Sequence, residues 1–259
     1  MAIAAFFDLD KTILAKSSSL AFARQLYAGG LLGRTDVLRS AYAQFVYLTN
    51  GANHDQMEQM RVQLSDLSRG WPVDQVKTIV AEALDEVVEP IVYTEALTLI
   101  RRHQAKGHDV IVISSSGTEV VEPICDRLGV DRAVGTQMEV GEDGTYTGEI
   151  LFYAYGEGKA EAMHGLAEDY DYDLEASYAY TDSHTDLPML EAVGNPFAVN
   201  PDAELRRIVQ ERVWPTLTFA KPVAMQDSQV RTERTAAAAA AAAAVGVGLA
   251  WYARYRRGA

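Results

Sequence analysis

An α/β fold, in which a parallel sheet carries helices and is interrupted by an all-helical insertion, is what the sequence predicts. Three observations predict it. Short apolar runs recur and most are followed by amphipathic helical stretches, which is the pattern of parallel strands buried on both faces. Polar, chemistry-bearing residues gather just after the C-terminal ends of those runs, where open α/β sheets bind ligands. And about a hundred residues of largely helical periodicity separate the first run from the second, where a crossover needs only a dozen or more.

The elements follow in chain order. Ile3–Phe7 reads as a buried strand that runs straight into Asp8-Leu9-Asp10. It is too short for a signal-peptide core and has no basic start, so export is not expected. Leu20–Tyr27, Val37–Leu48, Met57–Leu67 and Val73–Val88 show apolar residues at three-to-four spacing, punctuated by Gly29-Gly30, Asn50-Gly51 and Gly70-Trp71-Pro72. They are expected to be helices of one insertion, residues 17–90, covering the site. Val110–Ile113, Tyr178–Thr181 and Phe197–Val199 are the remaining strands of the sheet, with helices at Glu119–Leu128, Leu187–Ala192 and Ala203–Val209. Val134–Ile150 alternates around Glu142-Asp143-Gly144 and predicts a hairpin. Asp169-Tyr170-Asp171-Tyr172-Asp173 reads as a solvated loop. The core therefore comprises residues 1–16 and 91–225, and residues 226–259 form a tail.

Composition bounds the function. With 259 residues, 48% hydrophobic and 23% charged, the chain is long enough for a large core and is not a disordered or disulfide-built protein. The single cysteine, Cys125, cannot form an internal disulfide, so a reducing, cytoplasmic setting is expected. The net charge of −13 argues against nucleic acid as a partner. That charge is split: residues 1–230 carry −17, and residues 231–259 carry +4 from five arginines and one glutamate. Within the tail, Ala236–Ala253 has no charge and includes nine consecutive alanines. As a helix it would be about 27 Å long, close to a bilayer core of about 30 Å. Trp251 and Tyr252 stand where interfacial aromatics would lie, with arginines on both sides. The run reads either as a membrane anchor to the cytoplasmic membrane or as a soluble Ala-rich helix; the anchor is the expectation carried forward.

Four clusters carry chemistry. In Phe6-Phe7-Asp8-Leu9-Asp10-Lys11-Thr12, residues two apart in an extended chain point the same way, so Asp8, Asp10 and Thr12 converge. Adjacent carboxylates repel, and a divalent cation or a shared proton would relieve them. Ile111-Val112-Ile113 ends in Ser114-Ser115-Ser116-Gly117, hydroxyls and backbone N–H groups suited to a phosphate. Gly156-Glu157-Gly158-Lys159 places a lysine at a helix start. Tyr178-Ala179-Tyr180 ends in Thr181-Asp182-Ser183-His184-Thr185-Asp186, a second carboxylate pair at a strand end. Each cluster alone has a structural explanation, since Ser and Asp cap helices and lysines usually face solvent. Their joint occurrence in this order is harder to explain that way.

Asp-x-Asp-x-Thr, strand–Ser, Lys and Asp-Ser-x-x-Asp, in this order, resemble the haloacid-dehalogenase-like hydrolases, and within them the subclass that contains phosphoserine phosphatase. The resemblance spans roughly residues 1–220. It implies a Rossmann-like core with a helical cap, and a Mg²⁺-dependent phosphatase acting on a small phosphorylated metabolite or a lipid phosphate. It implies that Asp8 is the nucleophile and Asp10 the general acid and base. Thr12 would support the loop, Ser114 and Ser115 would bind the phosphoryl group, and Lys159 would neutralise it. Asp8 and Asp182 would hold the metal with the carbonyl of Asp10, and Asp186 would lie behind them, orienting water or Lys159. The alternative is a non-catalytic module of the same fold that binds phosphate esters. One departure bears on substrate: the family's phosphoserine phosphatases carry a glutamate soon after the first motif, and Ala15-Lys16-Ser17-Ser18-Ser19-Leu20 has no acid. Lys16, Arg61 and Arg69 are candidate contacts for an anionic substrate, each more simply read as solvated, and His184 reads as a loop histidine.

Overall fold

The computed structural model describes residues 1–33, 62 and 65–220. Among the described residues, seven strands, β1 (Ala4–Phe7), β2 (Asp109–Gly117), β3 (Arg132–Val140), β4 (Tyr146–Phe152), β5 (Tyr178–Thr181), β6 (Asn195–Val199) and β7 (Thr216–Leu217), form one sheet in the order β4-β3-β2-β1-β5-β6-β7. All neighbours are parallel except β3 and β4, the predicted hairpin, which is antiparallel and ends the sheet on one side. The α-helices among the described residues are α1 (Ser18–Ala21), α2 (Ala23–Ala28), α3 (Val73–Val88), α4 (Thr94–Ala105), α5 (Thr118–Leu128), α6 (Glu157–Tyr170), α7 (Leu187–Glu191) and α8 (Ala203–Arg212).

β1 lies at the centre because nothing in it tolerates water. Its Ala-Ala-Phe-Phe sequence is 0% exposed throughout, and strand alternation sends its residues to two different apolar layers. Ala5 and Phe7 join Val110, Val112, Val121, Ile124 and Ile100 on one face of the sheet. Ala4 and Phe6 join Ile111, Ile113, Met163, Met189 and Leu205 on the other. Each fully buried phenylalanine contributes about 1.5–3 kcal/mol of transfer free energy. The sheet reverses its winding at β1, which pairs with β2 on one side (Phe7 beside Val112) and β5 on the other (Phe7 beside Tyr180). The crevice at that switch point opens beyond the C-terminal ends of β1, β2 and β5.

The chain leaves and re-enters this core through adjacent segments. Ala15 N donates to Ile91 O (2.6 Å), Tyr93 N donates to Ile13 O (2.9 Å), and Leu14 and Val92 form an antiparallel bridge. Between them, α3 buries Val73, Val76, Val80, Ala83 and Val87, one stripe at helical spacing, against the same apolar layer that receives α5. Residues 70–73 also hydrogen-bond to the turn and start of β4, through Gly70 N to Tyr146 O (2.8 Å) and Val73 N to Gly144 O (3.0 Å). The helix expected at Val37–Leu48 and most of that at Met57–Leu67 lie outside the described residues.

Three expectations are corrected. Leu20–Tyr27 is not one helix: the chain breaks at Phe22, which is completely buried and separates α1 from α2. The Asp169–Asp173 run is not simply a solvated loop, because α6 extends to Tyr170 and the next tyrosine is buried. Tyr172 packs edge-on against Phe6 and donates its hydroxyl to Asp109 (2.6 Å) while accepting from Arg132 (2.9 Å). An aromatic ring that can cover Phe6 and still satisfy its hydroxyl has more to gain there than in water. Third, the membrane anchor is withdrawn. No helix among the described residues is long and apolar enough to cross a membrane, and residues 236–253 lie outside the described residues.

Candidate active site

The site begins where β1 runs out of partners. Asp8 N makes the last ladder bond, to Tyr180 O at 2.9 Å, after which the chain turns sharply. Leu9 stays in the core, and its carbonyl accepts from both Ile13 N and Leu14 N at 2.9 Å. Lys11 adopts φ 62°, a left-handed conformation uncommon for a non-glycine residue. This tight turn leaves Asp8 and Asp10 at the sheet's C-terminal edge. Thr12 is fully buried, and among the described residues its hydroxyl has no hydrogen-bond partner; the backbone bonds to the Leu9 carbonyl hold the loop.

Three other elements deliver their residues to the same edge. β2 ends in Ser114 and Ser116, both buried, with Ser116 N donating to Ser114 Oγ (3.2 Å). Ser115 is half-buried, and its carbonyl accepts from Thr136 (2.8 Å). The start of α6 presents Lys159. Gly158, just before it, passes so close to the Tyr153 carbonyl that any Cβ there would collide with it. β5 ends in Thr181 and Asp182, followed by a single turn that returns Asp186.

These residues form one buried ion network. Lys159 Nζ donates to Asp8 Oδ1 at 2.5 Å and to Asp186 Oδ2 at 2.7 Å, and the lysine side chain is only 3% exposed. Thr181 Oγ1 donates to the same Asp186 oxygen at 2.6 Å. Asp186 is thereby committed to fixing the lysine, a role the sequence allowed as one of two. Lys159 stands at the start of α6, where the sequence puts it, and its side chain is deeply buried.

Negative charge is in excess, and the titration of the carboxyls reflects it. Burial, opposed by Lys159 and reinforced by Asp186 and Asp10, pushes Asp8 up from 3.8 to about 7. Burial also raises Asp182 well above the carboxylate range, and the charge on Asp8 adds to it. Asp10 is raised by burial against hydrogen bonds from Ser18 that favour its ionised form. For Lys159 burial works the other way, but the fields of Asp186 and Asp8 outweigh it and keep the ammonium charged.

Among the described residues, no group of three or more His, Cys, Asp or Glu side chains is arranged to hold a metal ion. Asp186 faces the lysine, and Asp10 faces serines. Asp8 and Asp182 are two buried carboxylates with raised pKa values, the charge on Asp8 adding to that of Asp182, and a cation would relieve both. Two carboxylates and a backbone carbonyl are hard oxygen donors, which fits a Mg²⁺-type ion better than a soft metal.

Of the remaining candidates among the described residues, Lys16 is exposed, and Arg69 donates to the Thr147 carbonyl in β4. Arg61 lies outside the described residues. His184 is held by Asp202, 2.9 Å from Nδ1 to Oδ2. Sequence reasoning placed Ser116 in the phosphate-binding cluster and did not foresee its link to Ser18, whose hydroxyl meets it at 2.8 Å beside Asp10. The alternation that singled out Asp8 and Asp10 also pairs Ser114 with Ser116, so half of that contact was readable.

Known proteins share this framework. The family described as haloacid dehalogenase-like hydrolase matches residues 5–191. A Streptomyces azureus protein called inhibition of morphological differentiation protein is 55% identical over 98% of this chain and 94% of its own length. A probable phosphatase of Mycobacterium tuberculosis is also 55% identical, over 86% of this chain and 78% of its own. Among solved structures, a Bordetella pertussis protein of unknown function superposes with a TM-score of 0.70 at 28% identity, covering 84% of this chain and 98% of that one. The chain is therefore a hydrolase belonging to the haloacid dehalogenase-like family, closely related to its phosphoserine-phosphatase-like members.

Proposed function

We propose that this chain hydrolyses small phosphate monoesters through a phosphoryl group carried on Asp8. The observation that carries the reading is the buried Asp8–Lys159–Asp186 network at the switch point of the sheet. Burying a lysine this deeply is costly even when it is paired, so stability alone is a weak account of it. Here it touches the one carboxylate placed for attack.

In the first step an Asp8 oxygen bonds to phosphorus while the bond from phosphorus to the ester oxygen breaks. Asp10, two residues further along the same turn, gives a proton to the departing oxygen. In the second step Asp10, now a carboxylate, takes a proton from water as that water attacks the acyl phosphate and frees inorganic phosphate and Asp8. Lys159 opposes the repulsion between an anionic nucleophile and an anionic substrate, and Asp186 with Thr181 keeps it from turning away. Ser114 and Ser115 offer a hydroxyl and backbone N–H groups to the phosphoryl oxygens. Asp8 and Asp182, with the Asp10 carbonyl, would hold Mg²⁺, which when bound supplies charge neutralisation and Lewis-acid polarisation of the phosphoryl group.

Residues 17–90 serve in this reading as the cap that excludes water during the first step. A compact, uncharged or anionic alcohol is the favoured leaving group. The stretch after the first motif carries Ser17, Ser18 and Ser19 and no acid to meet a substrate ammonium, which argues against phosphoserine. A cytoplasmic setting accords with a cysteine that is free and buried.

Phosphate release from a panel of monoesters, in Mg²⁺ and in EDTA with Asp8→Asn as the blank, tests the proposal. Activity is expected only for wild type with Mg²⁺. Equal inactivity of wild type and Asp8→Asn across the panel refutes it.

A further inference from the structure

We infer that Ser116 is a positioning residue for Asp10, tying the acid–base carboxyl to the stem of the inserted segment through Ser18. The inference deepens the reading above and rests on it for the role of Asp10.

The contacts come from two distant stretches of chain. Ser18 N donates to Asp10 Oδ1 at 2.8 Å. Ser116 Oγ lies 3.5 Å from the other carboxylate oxygen, Oδ2, and 2.8 Å from Ser18 Oγ. Ser19 Oγ approaches Ser116 from the same side at 3.2 Å. Both oxygens of Asp10 are thus addressed, one from the start of α1 and one from the end of β2. Ser18 is fully buried and Ser116 is 5% exposed, so bulk water does not substitute for either.

The choice of hydroxyls has a chemical reason. Lys159, which could have oriented Asp10 by charge, is taken up by Asp8 and Asp186. A hydroxyl can both donate and accept, so Ser116 can engage the Ser18 hydroxyl on one side and Asp10 Oδ2 on the other. Ser116 does not touch the transferred group in this scheme. It acts through Asp10, and Ser18 makes the placement of Asp10 depend on where the stem of the inserted segment sits.

The test compares two leaving groups. p-Nitrophenolate departs with little help from a proton, whereas the alkoxide of glycerol 2-phosphate requires one. First-step rates are measured in single turnovers for wild type, Ser116→Ala, Ser116→Thr and Ser18→Ala. General acid catalysis is worth about 10²–10⁴-fold, and misplacing the acid forfeits part of it. Ser116→Ala is therefore expected to slow the alkyl ester about tenfold, and at least about threefold more than the nitrophenyl ester. The loss should fall on the maximal rate rather than on KM. Ser116→Thr, which keeps a hydroxyl, should recover most of it, and Ser18→Ala should show the same leaving-group bias. In parallel, hydrogen exchange at the Ser18 amide should quicken in Ser116→Ala, because the carboxylate accepting that N–H is less fixed. Equal losses on the two esters, or unchanged exchange at Ser18, overturn the inference. If wild type cleaves neither ester, the phosphatase reading fails instead, and the Ser18 exchange rate still decides whether Ser116 fixes Asp10.

Discussion

Replacing Asp8 by asparagine is expected to do two opposite things: abolish turnover and, without metal, make the fold progressively more stable than wild type as pH rises. The reason is the cost of ionising Asp8 inside the protein, which raises its pKa from 3.8 to about 7, with burial as the largest cause. A carboxyl raised in the folded state binds more protons there than in the unfolded chain. The stability it lends is complete below pH 4 and is lost as pH climbs through 7. With those two values, the wild-type chain loses roughly 2.5 kcal/mol between pH 5 and pH 8 from this one group. Asparagine does not titrate, so the variant keeps that increment. Asp182 pushes the same way, because the charge on Asp8 contributes to its raised pKa and disappears in the variant. Lys159 loses one partner but keeps Asp186 at 2.7 Å, which offsets a pH-independent part of the gain. The difference in stability between variant and wild type should therefore widen with pH, whatever its value at pH 5. Urea unfolding of both proteins in EDTA at pH 5, 6, 7 and 8 measures it. A difference that is flat or narrowing from pH 5 to 8 would refute the electrostatic account. Adding Mg²⁺ at pH 8 should stabilise wild type more than the variant, since only wild type offers both carboxylates.

Three further outcomes are expected. Lys159→Met should lower kcat/KM at least about a hundredfold in phosphate-release assays, the scale on which a preorganised donor to developing charge matters. Lys159→Arg should not restore it, because a planar fork does not fit between two carboxylates spaced for one ammonium. Gly158→Ala should cost about 1–3 kcal/mol in denaturant unfolding, since the new methyl group meets the Tyr153 carbonyl. By displacing the start of α6 it should also slow turnover by up to about a hundredfold. His103 is buried, 3.0 Å from His108 and 2.9 Å from the Tyr180 hydroxyl. Burial first, then His108 and Lys106, pushes its pKa from 6.5 to about 4. A histidine held neutral in this way makes the fold lose roughly 3 kcal/mol as pH falls from 6.5 to 4. His103→Gln should flatten that acid limb of the stability curve, and an unchanged limb would show that other groups set it.

The parts of the site legible in sequence are those for which a strand's end dictates position. β1 had to be buried because Ala4–Phe7 is apolar on both alternating faces, so Asp8 had to emerge at its end. The same logic placed Asp182 after β5 and the Ser114–Ser116 run at the C-terminal end of the second strand, where β2 itself continues to Gly117. Helices were legible where a single stripe faces one core, as in Val73–Val88, which matches α3 residue for residue. The pattern misled at Leu20–Tyr27, where periodicity could not register that burying Phe22 would break the helix. It misled again at Tyr172, whose acidic neighbours suggested water and whose ring instead covers Phe6.

By itself, then, the sequence determined which residues reach the C-terminal edge of the sheet, because alternation and the length of an apolar run are local properties. It did not determine which of them pair. Ser18 and Ser116 are separated by 98 positions, and Lys159 lies 151 positions from Asp8. Whether a buried lysine faces one carboxylate or two depends on how α6 settles against the turn after β5. Only the folded chain decided that Asp186 fixes the lysine, that Asp10 is held by hydroxyls, and that Asp8 and Asp182 are left sharing an excess of negative charge. Those assignments rest on distances of 2.5–3.5 Å between side chains brought together by the packing of whole elements. No local pattern encodes a distance between residues so far apart in the chain.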